Sequence, residues 1–184
     1  MKIDEPFNPE IKSKKIPTNI EFKLANDTHI DEIAALMHER NPNDSVKIIK
    51  AKTLNEIKLN KDDPTYWLYV AIINNKVVGL CRFYHSDGLP INKKKFSAPE
   101  GWYGMGILIS SKWRRNSIAK YLTIERVKLL KNLKAHCLYS IVDSNNKTSV
   151  KMHENFGFKK IDQAHGFLHL DFKDQIAFLF ELKI

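Results

Sequence analysis

The order of apolar and polar positions divides the chain into short β-type runs and amphipathic helical stretches. Residues 20–24 read as a strand, and Asn26, Asp27 and Thr28 offer capping oxygens for a helix reaching about Glu39. Its apolar face is Ile30, Ile33, Ala34 and Met37. The polar segment 41–63 contains helical pieces, with Thr53 placed to cap 54–59, and reads as a lid or substrate-side element. Runs 66–73 and 77–84, joined by Asn74, Asn75 and Lys76, carry a hairpin signature. A long loop over 85–100 follows, with Pro90, Pro99 and the cluster Lys93, Lys94, Lys95; a loop of that size in a compact domain is usually functional. A strand is expected over 103–109, then a helix from about Ser117 to Leu133 with Ile118, Leu122, Leu129, Leu133 and, less favourably, Glu125 on one face. A buried-type strand over 138–142, a short helix over 147–155 stopped by Gly157, and strands near 158–163 and 175–182 complete the order. That order predicts an α/β (α+β) domain with a mixed sheet.

Composition narrows the class. The chain has 184 residues, 43% hydrophobic and 28% charged, which excludes a disordered or fibrous chain. Its apolar runs are far shorter than the roughly 20 residues of a membrane helix. Residues 1–19 form a polar extension without the apolar core of a secretory signal, so a cytoplasmic protein with one domain over 20–184 is expected. Cys81 and Cys137 stand in no paired motif and read as two packed thiols. Thirty Lys and Arg against 21 Asp and Glu leave +9, which suits an anionic partner. Lysine and asparagine enrichment of the kind AT-rich coding produces accounts for that excess equally well. No nucleic-acid motif accompanies the charge, so nucleic acid is not the expected partner.

Most familiar chemical motifs break at a specific residue. Gly104-x-Gly106 has Ile109 where a dinucleotide fingerprint needs its third glycine, and no phosphate-binding G-x-x-x-x-G-K-[ST] run exists. His38-Glu39 and His153-Glu154 begin like zinc-protease motifs, but Pro42 and Gly157 replace the second histidine. His165 and His169 sit in a loop or strand context, no G-x-S-x-G elbow appears, and no metal is expected.

One segment retains a use. From Ile107 to Leu122 the chain reads as a strand, a turn with Arg114 and Arg115, and a helix opening with small residues. Unpaired N–H groups at a helix N-terminus make an anion site, and small side chains let a pyrophosphate approach. Alone, the segment suits an ordinary strand-to-helix connection with two solvated arginines equally well. A second segment, Asn146-x-x-Ser149-x-x-Met152-His153-x-x-x-Gly157-Phe158, follows the next strand. Together the two resemble the GNAT superfamily of acetyl-CoA-dependent N-acetyltransferases. Arg114, Ser117 and Ala119 match its [QR]-x-x-G-x-[GA] loop, and Asn146, Ser149, Met152, Gly157 and Phe158 match its second motif. The likeness extends over 20–184 through the strand and helix of 22–37 and a hairpin with Asn74, Asn75 and Gly79.

The resemblance implies a mostly antiparallel mixed sheet flanked by helices, and direct attack of a primary amine on the thioester of acetyl-CoA through a tetrahedral intermediate. It implies that the backbone of Ile107, Leu108 and Ile109 holds the pantetheine and carbonyl. Arg114, Arg115, Asn116, Ser117, Ile118, Ala119 and Lys120 would take the pyrophosphate. Asn146 would lie on the pantetheine arm, with Ser149 a further cofactor-binding residue, and Lys147 or Lys151 near the 3′-phosphate. Ser117 departs from the family's glycine. His153 stands where the family has a tyrosine that protonates the CoA thiolate, a task imidazole can perform near neutral pH, the alternative being a packed polar residue in a protein that uses solvent instead. Glu100 and Tyr103 are the candidates for accepting the ammonium proton, ahead of Asp143, His85 and Asp87, with a solvent relay as the alternative. Trp67, Trp102, Tyr103 and Phe96 are candidates for an amine pocket, though aromatic residues at strand positions usually belong to a core. The acceptor is a small-molecule amine, an aminoglycoside-like polyamine or a protein amine, the positive balance counting against polycations. A homodimer is compatible with this reading. The competing reading is a catalytically degenerate GNAT fold that binds acyl-CoA or a partner protein.

Overall fold

The computed structural model describes residues 17–89 and 93–184; residues 1–16 of the expected polar extension, and Pro90 in the long loop, lie outside the described residues. The strands are β1 (Ile20–Leu24), β2 (Tyr66–Ile73), β3 (Lys76–His85), β4 (Trp102–Ile109), β5 (Cys137–Asp143), β6 (Lys159–Ala164), β7 (Gly166–Phe167), β8 (Leu170–Asp171) and β9 (Ala177–Lys183). The helices are α1 (Ile30–Arg40), α2 (Val46–Asp62), α3 (Ile118–Asn132) and α4 (Lys147–Phe156). Hydrogen bonding orders a seven-stranded sheet as β1-β2-β3-β4-β5-β9-β6, with β7 and β8 forming a separate hairpin. β4 and β5 run parallel, whereas β1/β2, β5/β9 and β6/β9 are antiparallel. The result is the α/β domain with a mixed sheet that the element order implied, mostly antiparallel as the resemblance implied.

The chain forms two compact units. The first comprises residues 17–83 and Gly106–Arg126, the second Tyr84–Met105 and Val127–Ile184. In the first unit, the two-residue alternation of β2 separates two apolar layers. Leu68, Val70 and Ile72 pack with Ile33 and Leu36 of α1, Ile57 of α2 and Leu108 of β4. Ala71 and Ile73 point the other way, with Cys81, Ile118 and Leu122 of α3, and the half-buried Ile107, Ile109 and Trp113. Gly79 permits a close approach here, since a Cβ on it would lie 2.7 Å from Ile109 Cδ1 and 3.1 Å from the Leu108 carbonyl. The β2–β3 turn places Asn74 (φ 50°) and Asn75 (φ 59°) in the left-handed region, the geometry a tight hairpin requires.

In the second unit, β5 pairs with β9 from Cys137↔Lys183 to Asp143↔Ala177, and β6 joins β9 with a bulge between Lys160 and Asp162. α4 starts on Asn146, whose side chain accepts from the Ser149 N–H, and ends on Gly157 at φ 102°, where a side chain would be strained.

Three expectations need correction. Segment 41–63 contains one continuous helix from Val46 to Asp62, and Thr53 is fully buried within it, its hydroxyl 3.9 Å from Met37 Sδ, so it caps nothing. α3 buries Ile118, Leu122, Ile124, Val127 and Leu130, leaving Leu129 half-buried and Leu133 43% exposed, because its buried face is set by the layers it meets. The C-terminal region holds a further hairpin, β7–β8, whose Leu168 carbonyl accepts from the Lys95 and Phe96 N–H groups of the long loop. Both cysteines are free thiols, Cys81 buried and Cys137 half-buried.

Candidate functional site

In the first unit, β4 runs into a loop whose base is pinned from several sides. The Ser110 N–H donates to the Val78 carbonyl of β3 (3.0 Å), and Trp113, donating to the Ser110 carbonyl, packs, as Ile107 and Ile109 do, against the layer that holds Ile118 and Leu122. Glu39, in the last turn of α1, accepts from the Ser111 N–H (2.6 Å) and the Ser110 hydroxyl (3.1 Å). These hydrogen bonds, aided by the charge of Arg114, hold the Glu39 carboxyl below its usual range. Arg114 Nε donates to the Ile109 carbonyl (3.3 Å), and the Asn116 amide to the Trp113 and Arg114 carbonyls (3.3 and 3.1 Å). The side chains of Arg114 and Asn116 thus brace the loop from within.

Beyond that brace the backbone changes hand twice. Arg115 (φ 68°) and Ser117 (φ 59°) are both left-handed, and the Ser117 carbonyl accepts from the Tyr121 N–H to begin α3. Left-handed residues interrupting a turn aim neighbouring N–H groups into a common concavity, and the first N–H groups of α3 have no acceptor within the helix. With the helix dipole, such an arrangement can accept an anion, and residues 115–120 are the candidate cradle. Arg115 is exposed beside it, Ile118 is 1% exposed and anchors the helix start, and Ala119 and Lys120 are half-buried. The side chains of Ile107, Leu108 and Ile109 all belong to packed layers, so their contribution to a ligand is restricted to backbone groups.

The remaining candidates lie in the second unit. Asn146, Ser149 and His153 form a connected line on α4: Asn146 Oδ1 accepts from the Ser149 N–H (3.1 Å), and the His153 Nδ1–H donates to the Ser149 carbonyl (2.7 Å). A carbonyl can only accept, which fixes the proton on Nδ1, so any proton the ring exchanges passes through Nε2. The ring is 8% exposed, stacked on Phe180 (centroids 5.4 Å) and edge-on to Phe158 (4.9 Å). Lys147 Nζ donates to the Ser144 carbonyl (2.8 Å), whereas Lys151 is exposed. Among the proton-acceptor candidates, Glu100 is exposed. Tyr103 belongs to the core: it is 1% exposed, its hydroxyl donates to the Pro99 carbonyl (2.6 Å), and burial pushes its pKa well up. His85 contacts Asp87 at 3.3 Å and is edge-on to Trp102, while Asp143 Oδ1 accepts from the Asn145 N–H. In the first unit, Trp67 packs edge-on against the buried Phe83. In the second, Phe96 covers the face of Gly166. No group of three or more metal-ligating side chains occurs among the described residues.

Three features escaped the sequence reading. Glu39 is one, and a carboxylate in the last turn of a helix, against the dipole, was its available signal. The second is the pair of Arg82 and Glu56, joined by bonds of 2.9 and 2.8 Å on side chains only 13% and 26% exposed. The third is Arg126, 4% exposed, with its guanidinium carbon 6.0 Å from the Phe83 ring centroid.

A mixed, mostly antiparallel sheet with flanking helices, and a left-handed turn leading into the N-terminus of α3, define the class of α/β protein to which the chain belongs. The family follows from the chain itself: residues 30–158 match the family described as acetyltransferase (GNAT) family, and the protein belongs to it. Solved structures share the fold. An acetyltransferase from Salmonella typhimurium, described as modifying the N-terminal serine of ribosomal protein L7/L12, superposes with a TM-score of 0.70 at 14% identity, over 92% of this chain and 98% of that one. The paia N-acetyltransferase from Thermoplasma acidophilum, solved with coenzyme A, gives 0.65 at 17%, over 90% and 99%. A spermidine N-acetyltransferase chimera of Vibrio cholerae and hSSAT sequences gives 0.67 at 15%, over 90% and 96%. No curated protein sequence matches the chain. No helix among the described residues is long and apolar enough to cross a membrane.

Proposed function

We propose that the protein transfers the acetyl group of acetyl-CoA to a primary amine, within one catalytic domain over residues 20–184 in the cytoplasm. The observation that carries this reading is the left-handed backbone at Arg115 and Ser117 immediately before α3, in a chain of the GNAT family. The N–H groups from Arg115 to Lys120 take the pyrophosphate, with Arg115 supplying charge. The backbone of Ile107, Leu108 and Ile109 aligns the pantetheine and thioester carbonyl. Asn146 Nδ2 and Ser149 serve the pantetheine arm, and Lys151, rather than the locally bonded Lys147, serves the 3′-phosphate.

The amine attacks the thioester carbon, the carbonyl π electrons move to oxygen, and collapse of the tetrahedral intermediate expels the CoA thiolate. Glu100, directly or through water, accepts the ammonium proton. His153, entering the step as an imidazolium with its Nδ1–H on the Ser149 carbonyl, gives the Nε2 proton to the thiolate, and the proton that the nitrogen of the intermediate loses on collapse restores it through water. The excess of positive charge favours a monoamine or protein acceptor over a polyamine such as spermidine.

The test is CoA thiol release from acetyl-CoA across a panel of small amines, polyamines and peptide N-termini. Amine-dependent thiol release that saturates in both substrates is expected. Tight CoA binding with no turnover on any amine would replace this reading with a non-catalytic acyl-CoA-binding protein.

A further inference from the structure

The last turn of α1 contains a local conflict. It carries Arg40, whose charge suits the negative end of the helix dipole, and beside it Glu39, whose charge does not. Glu39 is exposed, so water would solvate it wherever its side chain pointed. Instead it reaches across 72 positions of sequence to two donors at one place, the Ser111 N–H at 2.6 Å and the Ser110 hydroxyl at 3.1 Å. Those residues are the base of the loop whose next turns hold Arg115 and Ser117 left-handed. Ser110 is fixed to β3 by its N–H and to Trp113 by its carbonyl, so Glu39 supplies the remaining tether, from α1.

We infer that Glu39 is a positioning residue for the anion cradle, acting through the hydrogen bonds its oxygens accept and at the expense of its charge. The inference deepens the acetyl-CoA reading and rests on it for the identity of the anion. Two consequences oppose each other. As an acceptor, Glu39 orders residues 110–117 before a ligand arrives, which lowers the entropy cost of binding. As an anion beside a pyrophosphate site, it repels the ligand it prepares for. Glutamine at position 39 retains one acceptor oxygen and removes the charge, whereas alanine removes both. A residue important only as a negative charge, or only for helix stability, would not separate these two variants in this direction.

The experiment compares wild type, Glu39→Gln and Glu39→Ala by amide hydrogen exchange without ligand and by calorimetric titration with CoA. For Glu39→Ala, faster exchange over residues 111–117 is expected, with a Kd for CoA raised about fivefold to tenfold, because the loss of two accepted hydrogen bonds is partly offset by the relief of charge repulsion. For Glu39→Gln, exchange stays close to wild type and the Kd equals or falls below the wild-type value. Unchanged exchange in Glu39→Ala, or equal weakening of CoA binding in both variants, would overturn the inference. Wild type that binds no CoA while Glu39→Ala still loosens the loop would leave the tether standing and remove CoA as its purpose.

Discussion

Ser117 offers the sharpest test of whether the cradle is built as described. It holds φ at 59°, a region in which a Cβ crowds the following carbonyl at a cost of about 1–2 kcal/mol. Glycine removes that cost but loses about 0.5–1 kcal/mol through the greater freedom of the unfolded chain. The hydroxyl is a separate contribution, isolated by passing through alanine. Ser117→Ala measures the hydroxyl alone, and the difference between alanine and glycine then measures the left-handed backbone alone. Glycine is expected to exceed alanine in stability by about 0.5–1 kcal/mol, or about 1–4 °C in melting temperature for a domain of this length. Valine, branched at Cβ, should fall below alanine. Thermal melts by circular dichroism, checked by urea titration, give the ranking. CoA binding should follow the same order, because only chains that hold the left-handed turn present the cradle. Alanine as stable as glycine would mean that position 117 does not hold this conformation in solution, and the anion site would lose its geometric basis.

The remaining expectations are narrower. Arg115→Glu should raise the Kd for CoA about tenfold at low salt and less at 0.5 M salt, since its charge is exposed and screened; Arg114→Glu tests a different function, because its Nε supports the Ile109 carbonyl. His153→Phe should keep the aromatic packing against Phe158 and Phe180, leave CoA affinity within about twofold, and lower turnover by about a hundredfold if Nε2 supplies the proton; equal turnover would remove that role. Arg82→Ala should cost about 3 kcal/mol by leaving Glu56 without its cationic partner in a largely buried setting, and the double variant with Glu56→Ala should cost less than the two singles summed. The Glu39 carboxyl ionises below its ordinary 4.5, so its contribution is present above that value and lost as pH falls through the lower folded value; Glu39→Gln should flatten that acid limb slightly, the effect being small because the group is exposed.

What could be read from the sequence was what neighbouring residues decide among themselves. Asn74 and Asn75 announce a tight hairpin because both tolerate a left-handed backbone, and Gly157 ends α4 for the same reason. The order of the main strands and helices followed from period together with these turn and stop residues, whereas the short β7–β8 hairpin did not. The buried face of α3 did not, because Arg126 counts as polar in any pattern yet lies 4% exposed over Phe83. Thr53 resembled a helix cap only while its own helix was taken to be broken; buried against Met37, it belongs to the packing between α1 and α2. Tyr103 looked available for chemistry because sequence carries no information on what a hydroxyl will meet, and here it meets the Pro99 carbonyl.

The loop shows where the two kinds of information join. By residue type, serine at 117 weakens the case for a phosphate cradle, since glycine is the residue that adopts its backbone without cost. Yet the conformation is left-handed all the same. The residues on either side account for it: Trp113 and Ile118 are both seated in the layer beneath α3, so the chain between them has few ways to cross. The side-chain bonds of Arg114 and Asn116 restrict it further, and Val78 and Glu39 fix Ser110 and Ser111 just ahead of it. Local preference at one position is worth about 1 kcal/mol, and several well-placed hydrogen bonds with a buried anchor outweigh it. Neither Trp113 nor Glu39 looks like a phosphate-binding residue, which is why a motif centred on its glycine understates how firmly this turn is specified.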